Sequence, residues 1–194
     1  MWEGIVQTGQ GTTSGNENQA SRRTLYFAMG STMAFILYST LVLDPAGKCF
    51  RIEGGSNSLG LTFTYTLQMV QDFFELRSQN QLACYKEFLQ IWDVIFAVVY
   101  ASMYGFWVMY FFNNHRWLLI APVLAMVADW IENIAEILMI SSYQDSNTIS
   151  GTLVSVGSGI NMVKWVMLSL TYLILLTGIV VKMRSFLGKK TNSK

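Results

Sequence analysis

The sequence predicts an all-α protein: an integral membrane four-helix bundle with an additional amphipathic helix in its first outer loop. Three observations carry this. Of 194 residues, 52% are apolar and only 13% are charged, about half the charged share of a soluble domain. Four stretches reach the roughly 20 mostly apolar residues that span the hydrocarbon core of a bilayer. Only two prolines occur, so long helices can run without interruption. The same composition excludes other classes. A formal charge of +1, from 13 Lys+Arg against 12 Asp+Glu, gives no footprint for nucleic acid. The apolar content excludes a disordered chain, and two cysteines are too few for a disulfide-dense mini-domain.

In chain order, residues 1–23 form a polar N-terminal tail rich in Gly, Thr, Asn and Gln, expected to be flexible. The spans are expected at 24–43, 89–112, 117–140 and 152–181. The first has no charged residue. The second carries Asp93, the third Asp129, Glu132 and Glu136, and the fourth Asn161 and Lys164. Between the first two spans, Pro45, Gly47, Gly54, Gly55 and Gly60 predict turns. Phe63, Leu67, Val70 and Phe74 then recur at helical spacing and predict an amphipathic helix over about 61–77, lying on the membrane surface or capping the bundle. Residues 183–194 form a basic C-terminal tail.

Orientation follows from the lysines and arginines that flank the spans. Arg22, Arg23, Arg116, Lys182, Arg184, Lys189, Lys190 and Lys194 fall on one side. Lys48, Arg51, Arg77 and Lys86 lie in the long outer segment. Both termini are therefore expected on the cytoplasmic side. Cys49 and Cys84 share the outer segment and form a candidate disulfide if that side is oxidising.

Ionisable residues at membrane depth are costly and face the bundle interior. Here they are patterned. Asp129, Glu132, Asn133 and Glu136 stand at i, i+3, i+4 and i+7, on one helical face. Ala121 and Ala125 extend that face. Asp93, Ala97, Ala101 and Gly105 recur every fourth residue, as do Gly151, Ser155 and Gly159. Gly157, Asn161 and Lys164 place a small residue, an amide and an ammonium together. Small residues at this spacing let helices approach closely. At about 1.5 Å per residue, Asp129 and Lys164 lie roughly 17 Å below the outer ends of their spans. They form a deep layer with Glu132, Asn133 and Asn161. Asp93 and Glu136 form a shallower one near the outer surface. Four carboxyls face one ammonium, so at least one carboxyl needs a proton, a hydration site, a cation or a partner.

These motifs resemble those of a group of four-span membrane proteins, common in bacteria, that has no established activity. The matching features are Asp93 with Phe96 and Tyr100, the Asp129-x-x-Glu132-Asn133 string after Pro122, and Lys164-Trp165. The likeness covers about residues 24–182. It implies the four-span architecture and the polar cluster, and no activity.

No catalytic set, metal site or cofactor is assigned. The single histidine, His115, excludes bis-histidine haem and multi-histidine metal centres, and no nucleotide-binding motif is present. The bilayer is the implied partner, with a membrane protein or a second copy as a further candidate. The leading functional expectation is a non-catalytic accessory or assembly subunit held together by the polar cluster. The alternatives are a transporter of protons, cations or a small solute, and a membrane enzyme acting on a lipid or isoprenoid through Asp129 and Glu132. Ligand handling requires an open cavity at the cluster, and a purely structural role requires a closed, fully paired one.

Overall fold

A computed structural model describes residues 11–53, 57–113 and 115–191. Every regular element among them is helical. Helix α1 (Gly11–Tyr38) passes through one π turn (Ser39–Leu43) into the short α2 (Asp44–Gly47). Pro45 explains the π turn. It has no N–H to give to the carbonyl four residues back, and its ring would clash there. The helix widens just before it, so that the Asp44 N–H reaches Ser39 O. After a turn at Leu59–Leu61 come α3 (Leu67–Glu75), α4 (Gln79–Gln90) and α5 (Trp92–Phe111). A turn at Arg116–Leu119 leads into α6 (Ile120–Ser146) and then α7 (Gly151–Thr191).

Among the described residues, four stretches are long and apolar enough to cross a membrane: Ser21–Gly47, Gln79–Phe111, Arg116–Ser146 and Gly151–Ser185. This is a multi-pass membrane protein with the expected all-α bundle. Several boundaries differ from expectation. The second long stretch starts at Gln79 rather than Leu89, because α4 runs almost straight into α5. They are separated only at Ile91 (φ −118°, ψ −65°), whose N–H still reaches Glu87 O and Phe88 O. A Ser78–Gln81 capping box starts α4, satisfying backbone donors that a helix start leaves open. Pro122 sits in the first turn of α6, where its missing N–H costs no helical bond. That helix ends on Asn147, in the left-handed region at φ 53°, a conformation Asn tolerates. Parts of both tails are helical: α1 already begins at Gly11, and α7 continues to Thr191. Residues 1–10 and 192–194 of those tails, and the glycines at 54–55, lie outside the described residues.

The amphipathic helix is shorter than expected. Thr66 caps α3 by accepting from the Met69 N–H, so the helix starts at Leu67. Phe63 lies before it and is exposed. The buried face is Val70, Phe73 and Phe74, packed with Phe50, Tyr85, Met139 and Val154 in the outer core. This helix therefore caps the bundle. Arg77 follows it with its guanidinium 3.4 Å from the Phe73 ring centroid. It donates from Nε to Phe50 O at 2.9 Å and from Nη1 to Phe73 O at 2.7 Å. Burial pushes its pKa down from the usual arginine value. Cys49, just after α2, is joined to Cys84 on α4 by a disulfide, with Cα atoms 6.3 Å apart.

A second core lies deeper, formed by Ala97, Tyr100, Met103, Tyr104 and Ala125. Helix α1 runs antiparallel to α5. Phe27 stacks on Phe106 near one end, Trp107 Nε1 donates to Thr32 Oγ1 at 2.9 Å, and Tyr38 donates to Trp92 O at 2.9 Å near the other. The most extensive packing joins α6 and α7. Ala135 and Gly157 make the close approach. A Cβ at residue 157 would lie 2.6 Å from the Tyr65 hydroxyl and 2.8 Å from Met139 Cε. The face of Gly157, Asn161 and Lys164 thus points inward. The face of Gly151, Ser155 and Gly159 does not. It is exposed, and a Cβ at Gly159 would meet nothing within 4 Å. The expected packing role of that second stripe is corrected accordingly. Gly157→Val should cost about 1–3 kcal/mol, as overpacked cores do, while Gly159→Val should stay within about 0.5 kcal/mol. Denaturant titration in mixed micelles compares the two.

Candidate polar ligand site

The polar residues of α5, α6 and α7 meet in the bundle interior. Lys164 is the hub. Its Nζ lies 3.1 Å from Asp129 Oδ1, contacts Glu132 Oε2 directly, and donates to Gly60 O at 3.1 Å. An ammonium has three N–H donors, and these three contacts use them all. Asp129 is 5% exposed, Glu132 0% and Lys164 6%. A pairing this dry survives only when each charge has close partners. Asp129 also accepts from the Tyr100 hydroxyl at 3.1 Å.

Around the hub, Asn133 Nδ2 donates to Asp93 Oδ2 at 2.8 Å, and the Tyr85 hydroxyl donates to Glu136 Oε2. The expected separation into deep and shallow layers does not hold. Asn133, assigned to the deep layer, bonds Asp93, assigned to the shallow one. The reason is the length of the helices. Asp93 lies well inside a stretch that starts at Gln79, and α6 carries on ten residues past Glu136 to Ser146. All seven polar residues read from the sequence, namely Asp93, Asp129, Glu132, Asn133, Glu136, Asn161 and Lys164, fall in one neighbourhood. Glu132 and Asn161 alone among them do not line the cavity described below.

Part of the site comes from outside the spans. The outer segment dips onto the cluster. Gly60 O accepts from Lys164 Nζ and from Trp165 Nε1, the latter at 3.2 Å. Asn161 Nδ2 donates to Thr62 O at 2.6 Å. The Tyr65 N–H donates to Ser158 Oγ at 3.0 Å, and the Leu59 N–H to the Tyr85 hydroxyl oxygen at 3.3 Å. Gly60 is needed for the close approach. A Cβ there would stand 3.1 Å from both Glu132 Oε1 and Lys164 Nζ. Tyr65 is buried, and burial together with Glu136 and Glu132 holds its phenol above its usual pKa.

A cavity of about 420 Å³ opens at this cluster, within the range of small-molecule sites. Asp93, Asp129, Asn133, Glu136 and Lys164 form its polar wall. Phe96, Tyr100, Tyr104, Trp165 and Tyr172 form an aromatic one, with Phe96 edge-on to Tyr100 and Tyr104 edge-on to Tyr172. Phe35, Ser39 and Leu43 close the side toward α1. Asp44 and Arg51, paired at 2.6 Å, stand with Asn57 and Leu61 at the outer end. Not every polar atom is matched. Among the described residues, Arg51 Nε, Glu132 Oε1, Glu136 Oε1, Asn161 Oδ1 and the Tyr65 hydroxyl are buried without a hydrogen-bond partner.

Compared with family models, curated proteins and solved structures, the chain matches none.

Proposed function

We propose that this multi-pass membrane protein binds one small amphiphilic molecule in the cavity between its spans, polar head at the cluster and apolar body along the aromatic wall. The observation that carries this is the cavity itself. A cluster serving only as glue would be closed and fully paired. This one borders about 420 Å³ of space and keeps unmatched carboxyl oxygens. The accessory-subunit reading therefore loses its main support.

Acid/base chemistry by Asp129 and Glu132 is disfavoured for a related reason. Both are engaged by Lys164, and Glu132 does not line the cavity. Binding, with or without passage across the bilayer, fits the geometry better than turnover. In this proposal the basic flanks at Arg22, Arg23, Arg116, Lys182 and Arg184 face the cytoplasm. The segment carrying Cys49 and Gly60 faces the opposite side. The cavity's outer end then opens away from the cytoplasm.

The test is native mass spectrometry of the full chain released from its membrane in mild detergent. A stoichiometric small-molecule adduct is expected on the wild type. Ser39→Trp, which fills the cavity from the π turn and changes no residue of the polar cluster, should lose the adduct and keep the fold. The same adduct on both proteins would place the molecule elsewhere and reject the reading.

A further inference from the structure

We propose that the bound molecule carries a cationic head, an organic ammonium on an apolar chain, held by Asp93 and Glu136. This rests on the cavity reading above and names the class of molecule the cavity takes.

On the polar wall beside Asp93 and Glu136 the donors are committed. Lys164 spends its three N–H groups on Asp129, Glu132 and Gly60 O. Tyr100 gives its proton to Asp129, Asn133 bonds Asp93, and Trp165 bonds Gly60 O. Beside Asp93 and Glu136 an anionic or acceptor-only head would find no strong donor free; the unmatched guanidinium donor on the lining, Arg51 Nε, stands at the far end of the cavity, where Arg51 pairs with Asp44. The acceptors are not exhausted. Glu136 is 1% exposed and lines the cavity. Its Oε2 accepts from Tyr85, and its Oε1, on the side of the neighbouring Glu132 carboxyl, receives no hydrogen bond from a donor group among the described residues. Asp93 uses Oδ2 for Asn133, and no hydrogen bond to its Oδ1 is formed among the described residues. Asn133 and Glu136 are one helical turn apart on α6, so the two carboxyls flank one region of the wall.

The charge count agrees. Asp129, Glu132 and Lys164 form one ionic set. Among the described residues, Asp93 and Glu136 remain with no basic side chain within salt-bridge distance. Buried carboxyls in that position are neutralised by protons or by a cation. Two features favour an organic cation over a metal ion. No three His, Cys, Asp or Glu side chains among the described residues are arranged to hold a metal. The rings of Phe96 and Tyr100 border the same space, and aromatic faces attract organic ammonium groups. Helix α1 packs along α5 and makes no comparable interface with α7, leaving a seam bounded by Phe35 and Leu168.

The test uses the full chain in a non-ionic maltoside micelle, titrated with dodecylammonium, dodecanol and dodecanoate, with bound stoichiometry read by native mass spectrometry. One dodecylammonium per chain is expected, bound at least tenfold more tightly than either other probe. Asp93→Asn and Glu136→Gln should each weaken it about tenfold or more, the loss of one charge-assisted hydrogen bond. Melting temperature and helical circular dichroism verify that each variant is folded. If Glu136→Gln fails to fold, Asp93→Asn alone decides. Equal binding of dodecanol or dodecanoate at a site blocked by Ser39→Trp overturns the cationic head and leaves the cavity reading standing. Displacement of dodecylammonium by Na⁺ or Ca²⁺ alone overturns it in favour of an inorganic cation. Binding of every probe unchanged by Ser39→Trp, or of none, rejects the cavity reading as well.

Discussion

Lys164→Ala should destabilise the bundle by about 3–5 kcal/mol, the cost of removing one partner from a buried ionic set. The size follows from what remains. Asp129 keeps the Tyr100 hydroxyl, but Glu132, fully buried, loses its single partner, since its other oxygen is already unmatched. Gly60 O keeps only the Trp165 indole, so the outer segment loosens at the same point. The comparison that isolates the charge effect is the triple variant Asp129→Asn, Glu132→Gln, Lys164→Met. It removes all three charges and should recover most of the loss, because a neutral core of similar volume carries no orphaned ion. Unfolding free energies in mixed micelles measure both. A Lys164→Ala protein within about 1 kcal/mol of wild type would show that water reaches the pair freely and that the hub does not hold the bundle.

Opening the Cys49–Cys84 disulfide should cost about 3–4 kcal/mol on the chain-entropy account, for a loop closed over a separation of 35 residues. That loop contains the whole segment that descends onto the cluster. Reduction should therefore also speed proteolysis or hydrogen exchange between Leu59 and Tyr65, where backbone bonds to Tyr85, Ser158 and Asn161 hold it. A Cys49→Ala, Cys84→Ala protein should match the reduced wild type and ignore reductant. Unchanged stability on reduction would mean that α3 and Arg77 anchor the segment by themselves.

The fold was largely legible because its signals are local. Hydropathy and length identify four spans, and helical spacing identifies Asp129, Glu132, Asn133 and Glu136 as one face. The boundaries were less legible. Helix α4 has a polar, charged surface at Gln81, Lys86 and Glu87. Its apolar residues Leu82, Phe88 and Leu89, with Tyr85, are buried, so it reads as connecting chain until the Ser78 capping box is recognised. Missing α4 as a helix hid Tyr85, the donor to Glu136, and misplaced Asp93 in depth. The contribution of Gly60, Thr62 and Tyr65 had no local signal. Gly60 looks like one more turn glycine, and its role as an acceptor for Lys164 depends on packing across 104 residues of chain. Tyr104 and Tyr172, bonded to each other at 2.6 Å, look like span aromatics for the same reason. The one available clue was chemical. Four carboxyls against one ammonium require further partners, and the hydroxyls and backbone carbonyls of the site supply part of them.

Whether the cavity holds a molecule is seen most directly in an experimental structure of the full chain reconstituted in nanodiscs with lipid extracted from its own membrane. Density is expected for one elongated molecule between α1 and α7, its head within hydrogen-bonding distance of Asp93 and Glu136 and its body against Phe96 and Tyr104. Side chains closed over the cluster, with no space between Ser39 and Lys164, would contradict it.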